Sequence, residues 1–226
     1  ICSEKGWIRA MKGHQDLDSD FKYKEGDGPA FVLHAETTDK ILLFAENGRF
    51  YTLSADKLPR GRGFGEPVSL IVDLPADVDI VRLMKAVGQK LLVAASTGHG
   101  LVVPTEAALA QTRSGKQVLN ISGTARAVAC CVAEGDMVAT VGVNRKLLVF
   151  ALSEVPEMTR GKGVILQRFK DGGLADVTVY SAEGGLSWKA GGGRTRTESD
   201  LTNWLGKRAS AGKMPPTGFP RPARFT

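Results

Sequence analysis
Cysteine is scarce, with three in 226 residues, and two of these are adjacent as Cys130 and Cys131 in an apolar run. Neither CxxC nor His-ligand spacing accompanies them, which argues against a disulfide framework or a zinc site and marks them as reduced core residues. Histidine is equally sparse. His14, His34 and His99 lie far apart in sequence and lack acidic partners at metal or triad spacing. Gly61–Gly65 and Gly191–Gly193 lack the Lys-Ser/Thr ending of a nucleotide P-loop. No stretch approaches the roughly 20 apolar residues of a membrane span, and Ile1-Cys2-Ser3-Glu4-Lys5 lacks the order of a signal peptide. The missing initiator Met suggests an excised fragment. No cluster of acids, bases and nucleophiles repeats toward one face, so an enzyme built around a central channel is the weakest functional class.

What is present is hydrophobic content of 42%, enough for a real core, and a formal charge of +6 that is unevenly placed. Residues 1–159 hold 18 Lys/Arg against 19 Asp/Glu, whereas residues 160–226 hold 12 against 5. A basic end on a neutral body is the footprint of a polyanion binder or of a solubilising segment.

Short β-rich runs recur as hairpins around residues that tolerate positive φ. Ile1-Cys2 turns to Trp7-Ile8 at Gly6, Ile41–Phe44 to Phe50–Leu53 at Asn47-Gly48, and Leu91–Ala94 to Leu101–Val103 at Gly98. Met137 to Phe150 folds around Gly142–Asn144, and Val177–Tyr180 to Leu186–Trp188 around Gly184-Gly185. Trp7, Trp188, Phe44 and Phe150 alternate with aliphatic residues and read as core. After three hairpins, Ser54, Thr105 and Ser153 stand where they could cap a helical turn. A basic glycine loop follows each: Arg60-Gly61-Arg62-Gly63, Thr112-Arg113-Ser114-Gly115-Lys116 and Thr159-Arg160-Gly161-Lys162-Gly163. Each loop is expected to lead into a strand, at Val68–Val72, Val118–Ile121 and Val164–Phe169. A degraded fourth copy runs through Thr197–Asp200 to Lys207-Arg208 and Gly212-Lys213.

Hairpin tips spaced by about 40 to 50 residues match one four-stranded blade of a radially repeated fold. The expected fold class is all-β: a β-pinwheel, a propeller-like disc of about five four-stranded blades, closed or open. A β-sandwich is the structural alternative, but its turns come every 8 to 12 residues without a longer period. Residues 1–190 are expected to hold the repeats, and 191–226 the remainder of the last repeat and a basic, partly flexible tail.

The hairpins ending in Asn47-Gly48-Arg49 or Gly98-His99-Gly100, with loops such as Thr159-Arg160-Gly161-Lys162-Gly163-Val164, resemble the repeats of the C-terminal domains of gyrase and topoisomerase IV A subunits. The resemblance covers nearly the whole chain to about residue 190. It implies a β-pinwheel that binds and bends duplex DNA, does no chemistry itself, and serves an ATP-dependent type II topoisomerase that relaxes and decatenates DNA. It also implies, for the full enzyme, ATP and Mg and a partner, the topoisomerase IV B subunit. A cytoplasmic, nucleoid-associated location and a monomeric isolated domain follow as well. The family's strand-breaking tyrosine belongs elsewhere, so Tyr23, Tyr51 and Tyr180 are not assigned that role. Gyrase subunits carry a seven-residue glycine- and arginine-rich box beginning with Gln, and no intact copy is found here. The first repeat has Glu4-Lys5-Gly6-Trp7 and Lys12-Gly13-His14 instead, and the blade count stops short of six. Both departures favour the topoisomerase IV branch over a gyrase domain that wraps DNA.

Arg and Lys on a glycine-bearing loop bring charge to a phosphate while the backbone approaches closely. The candidate DNA contacts are therefore Arg60, Arg62, Arg113, Lys116, Arg160 and Lys162, with Arg49, Arg145 and Lys146 near hairpin tips as weaker ones. Lys207, Arg208, Lys213, Arg221 and Arg224 belong to the tail, either a DNA-contacting arm or a disordered end. A propeller-like protein-interaction scaffold is the reading from another class.

Overall fold
The computed structural model describes residues 1–226. The chain runs through β1 (Cys2–Ser3), β2 (Trp7–Ile8), β3 (Pro29–Phe31), β4 (Lys40–Ala45), β5 (Arg49–Ser54), β6 (Glu66–Pro67) and β7 (Ile80–Lys85). It continues with β8 (Lys90–Ala95), β9 (His99–Pro104), β10 (Lys116–Gln117), β11 (Ala127–Val132), β12 (Met137–Gly142) and β13 (Leu147–Ala151). The last strands are β14 (Val164–Ile165), β15 (Leu174–Tyr180), β16 (Leu186–Lys189) and β17 (Thr195–Glu198). Helix is confined to one four-residue α-turn, Thr105–Ala108, and a few 3-10 turns.

These strands form five antiparallel sheets in the orders β3-β1-β2-β6, β10-β5-β4-β7, β11-β8-β9-β14, β13-β12-β15 and β16-β17. One rule generates them. A hairpin supplies two central strands, the next strand in the chain pairs with the hairpin's first strand, and the fourth arrives from beyond the following hairpin. Thus β6, which follows hairpin β4–β5, pairs with β2, and β10, which follows hairpin β8–β9, pairs with β5. β14 repeats the move on β9. In the fourth sheet the arriving segment makes only isolated bridges, Val149 with Leu205 and Leu147 with Lys213.

The first compact unit comprises Ile1–Val87 with Ala108–Gln117 and holds the first two sheets. Its core is built on Ile8, Ile41, Leu43, Tyr51, Leu53 and Val68. The second comprises Gly88–Ala107 with Val118–Thr226. It has one core around Leu92, Val138, Phe150 and Leu166 and another around Val149, Trp188, Phe219 and Phe225. The central strands are buried along almost their whole length, so they read as continuous apolar runs such as Ile41–Ala45 instead of alternating ones.

Hairpin tips repeat one geometry. Gly48 (φ 77°) and Gly98 (φ 90°) donate their N–H to Ala45 and Ala95, each at 2.9 Å. At the equivalent place in hairpin β12–β13 stands Arg145, at φ 69°. A left-handed conformation at a non-glycine costs on the order of 1–2 kcal/mol, and contacts of its guanidinium, described below, offset it.

A second glycine position marks the joint where each arriving strand begins. Gly65 (φ 85°), Gly115 (φ 72°), Gly163 (φ 76°) and Gly212 (φ 79°) directly precede Glu66, Lys116, Val164 and Lys213. A Cβ on Gly115 would lie 2.7 Å from the carbonyl oxygen of Phe50, and one on Gly212 2.7 Å from that of Leu147. On Gly65 and Gly163 it would overlap the carbonyl oxygens of Ile8 and Gly100 more closely still. Both φ and space therefore require glycine there.

Several expectations are corrected. Val177–Tyr180 does not form a hairpin with Leu186–Trp188: β15 lies beside β12, and β16 pairs with β17 across Gly191–Gly193. The cause is the generating rule, in which the strand before each hairpin belongs to the preceding sheet, as β7 and β11 also do. Val68–Leu70 is a 3-10 turn, and the arriving strands begin earlier, at Glu66 and Lys116. The helical turns exist, but Ser54 makes no cap bond, its Oγ accepting from Lys40 Nζ at 2.8 Å, and Thr105 lies inside its turn, its Oγ1 donating to the carbonyl of Gln89. Ser153 lies inside its turn. Five sheets are present, of which three have four strands.

Substituting Gly65→Ala should lower stability by at least about 2 kcal/mol, from left-handed strain plus overlap with backbone. Gly63→Ala, with no positive φ and nothing within 4 Å of the added Cβ, should change it by less than about 1 kcal/mol in either direction. Paired thermal melts decide between them.

Candidate nucleic-acid interface
The three basic glycine loops occupy one structural position, the stretch that leads up to or through a joint glycine into its arriving strand. Arg60, Arg62, Arg113, Lys116, Arg160 and Lys162 are all exposed. Arg60 is held through its backbone by a bridge to Ala10, and Gly161 by a bridge to Leu119. Two of the six side chains have a partner of their own. Arg113 Nε lies 3.4 Å from Asp73 Oδ1, with both side chains more than half exposed, an ion pair worth no more than about 1 kcal/mol. Arg160 Nε donates to Asn120 Oδ1 at 3.4 Å. Such weak partners leave both cations available to a stronger anion.

Arg49 and Arg145 are placed differently. Arg49 Nε donates to the carbonyl of Ser114 at 2.9 Å and its Nη2 to that of Gly115 at 3.2 Å, so it grips the loop that carries Arg113 and Lys116. Arg145 donates to the carbonyls of Pro220 (2.7 Å) and Phe219 (3.1 Å). Lys146 is half-buried, and its carbonyl accepts from the buried Gln167 at 3.0 Å. Two further arginines act as loop anchors, a role the sequence reading gives to neither: Arg9 is not a candidate, and Arg208 is placed only in the tail. Arg9 donates to the carbonyls of Gly63 and Lys22, each at 2.7 Å, and Arg208 to that of Ile165 at 2.7 Å. No local motif marks an arginine whose partners are carbonyls 54 or 43 residues away.

The terminal segment supplies β17 and then packs through Leu201, Phe219, Ala223 and Phe225 into a core of the second unit. Lys213 bridges Leu147 through its backbone, while Arg221 and Arg224 are exposed. His14 and His34, distant in sequence, meet with ring centroids 4.7 Å apart beside a cavity of about 1020 Å³ in the first unit, which Arg60 also lines. His99 shares the second unit with Lys162. Burial, and secondarily the Lys162 charge, hold its imidazole below the usual range. No helix is long and apolar enough to cross a membrane.

The family model described as the DNA gyrase C-terminal domain, beta-propeller, matches residues 39–86 and 136–176. The A subunit of DNA topoisomerase 4 from Rickettsia bellii is 46% identical across all of this chain, and that from Caulobacter vibrioides 47%. The solved Escherichia coli ParC C-terminal domain superposes with a TM-score of 0.81 at 25% identity, covering 96% of this chain and 92% of that one. The chain belongs to the family of C-terminal domains of topoisomerase IV and gyrase A subunits. Within the family it stands on the topoisomerase IV side, since the relatives at 46% and 47% identity over the whole chain are both topoisomerase 4 A subunits, while the solved C-terminal domain of DNA gyrase A shares the fold at a TM-score of 0.66. The fold is accordingly a β-pinwheel, and the exchanged strands above are its links. The chain spans about three-tenths of the length of the two topoisomerase relatives.

Removing the Lys162 charge by Lys162→Ala should raise the pKa of His99, because that charge opposes the imidazolium. An NMR titration of the His99 ring checks this, and an unchanged midpoint would mean that burial alone sets it.

Proposed function
We propose that this β-pinwheel domain binds and bends duplex DNA without strong sequence preference, through the loops at Arg60–Gly63, Thr112–Lys116 and Thr159–Gly163. The supporting observation is that six exposed cations cluster around the joint glycines, five just before one and Lys116 just after, beside loop backbones held by Ala10, Arg9, Arg49 and Leu119. An anchored loop loses little freedom on binding, so more of the charge–phosphate attraction appears as affinity. Phosphate contacts fix position without reading bases, so the domain would select sites by shape and flexibility. Bending 20 to 30 base pairs by 40 to 90° costs on the order of 1–6 kcal/mol, more than one loop can offset and within reach of three.

In the full protein the domain would serve a topoisomerase IV that relaxes and decatenates DNA by ATP-dependent strand passage. The strand-breaking tyrosine, ATP, Mg and the B subunit of topoisomerase IV belong to other parts of that enzyme, and its place would be the nucleoid in the cytoplasm. The names of the relatives and the fold support this reading. The isolated domain is proposed to be monomeric.

Binding to a duplex of about 40 base pairs, measured across a salt series, tests the proposal. The logarithm of affinity should fall steeply with the logarithm of salt. The slope should become shallower by up to about 5 when all six cations are replaced by Ala, at roughly 0.9 per lost phosphate contact. No binding at low salt would overturn the reading in favour of a protein-interaction scaffold.

A further inference from the structure
Of nine Phe, three Trp and three Tyr, Phe64 alone is exposed, at 42% relative accessibility. It lies in the loop Arg60-Gly61-Arg62-Gly63-Phe64-Gly65, between two glycines and two residues beyond the second arginine. A solitary exposed apolar side chain is ordinary on any surface. The setting of this one is not ordinary, because the backbone on both sides of it is fixed. Ala10 N–H donates to the carbonyl of Pro59 at 2.8 Å, and Arg9 Nη1 donates to the carbonyl of Gly63 at 2.7 Å. On the other side, Gly65 lies against the carbonyl of Ile8, and Glu66 pairs with Ile8 in the sheet. Cβ atoms on Gly61 and Gly63 would meet nothing within 4 Å, so a bulky polymer can approach the loop backbone on these sides.

Counted back from the joint glycine, Phe64 corresponds to Ser114, Lys162 and Ala211 in the other loops. One loop of four therefore carries an aromatic ring where the others carry small or cationic side chains. An exposed ring beside arginines, on a backbone already ordered, is the chemistry of a minor-groove wedge. The cations lie along the phosphates or enter the narrow groove, and the ring parts two stacked base pairs and kinks the duplex.

We propose that Phe64 inserts as a wedge into a base step of the duplex held by the basic loops, making the first loop the site where the bend is localised. The inference rests on the DNA-binding reading. Pyrimidine–purine steps unstack most readily, so the wedge would place flexible steps such as TA opposite the first loop and give the domain a preference for DNA that kinks there.

The test uses the whole chain and a 40-base-pair duplex with 2-aminopurine at a central TA step and a fluorophore pair at its ends. Binding should raise 2-aminopurine fluorescence and shorten the end-to-end distance. Phe64→Ala should abolish the fluorescence rise, reduce the bend and weaken binding on the order of tenfold, while leaving the salt slope unchanged because no charge is lost. Phe64→Leu, which keeps an apolar wedge, should retain much of the kink. The half-exposed ring contributes little to packing, so both variants should fold, and a thermal melt of each checks it. A salt-dependent complex with the same fluorescence and bend in Phe64→Ala as in the unmutated chain would overturn the wedge and leave DNA binding intact. No complex with any duplex would remove both.

Discussion
Each arriving strand must start where its backbone meets a carbonyl of the hairpin it joins, and there is no room for a side chain at that meeting. Gly65, Gly115, Gly163 and Gly212 occupy it with left-handed φ values. The constraint does more than close sheets. Because the joint fixes the start of the strand, it also fixes the residues just before it, and those are the basic loops. Arg62 and Arg160 both stand three residues ahead of a joint glycine, and Lys116 directly follows one. Repetition of the joint thus becomes repetition of exposed charge.

The arginines divide into two populations by what their guanidinium groups meet. Arg9, Arg49, Arg145 and Arg208 donate to main-chain carbonyls of segments that come from far along the chain. A planar fork with five N–H donors suits that work, since loop carbonyls outside a ladder need donors and a single lysine ammonium spans them poorly. Arg60, Arg62, Arg113 and Arg160 remain in solvent, with at most a weak partner. The first population orders the loops and the second offers charge from them. Arg145 illustrates the cost of this arrangement, because it accepts a backbone conformation that its counterparts Gly48 and Gly98 adopt without strain.

Much of this architecture is legible in the sequence. Four hairpins are readable because their turns carry Asn-Gly, Gly or Asn beside uninterrupted apolar runs, and the basic loops are readable because glycine and arginine recur there in one order. The strand exchange is not. β6, β10 and β14 are two residues long, and no periodicity can develop in so short a run. The same blind spot makes Val177–Tyr180 look like half of a local hairpin, when its partner β12 lies earlier in the chain, beyond β13 and β14. Nor can charge alone separate Arg49, which grips a loop, from Arg113 on the loop it grips, because both are arginines near glycine and differ only in their long-range neighbours.

Whether the loops before the joints form the DNA-facing part of the domain is tested most directly by amide NMR of the isotope-labelled chain, titrated with a short duplex at low salt. Resonances of residues 60–65, 112–116 and 159–163 should shift together at the same DNA concentration, and added salt should reverse them together. Shifts confined to other surfaces, such as the cavity beside His14 and His34, with those three loops unmoved, would contradict the DNA-facing role of the loops.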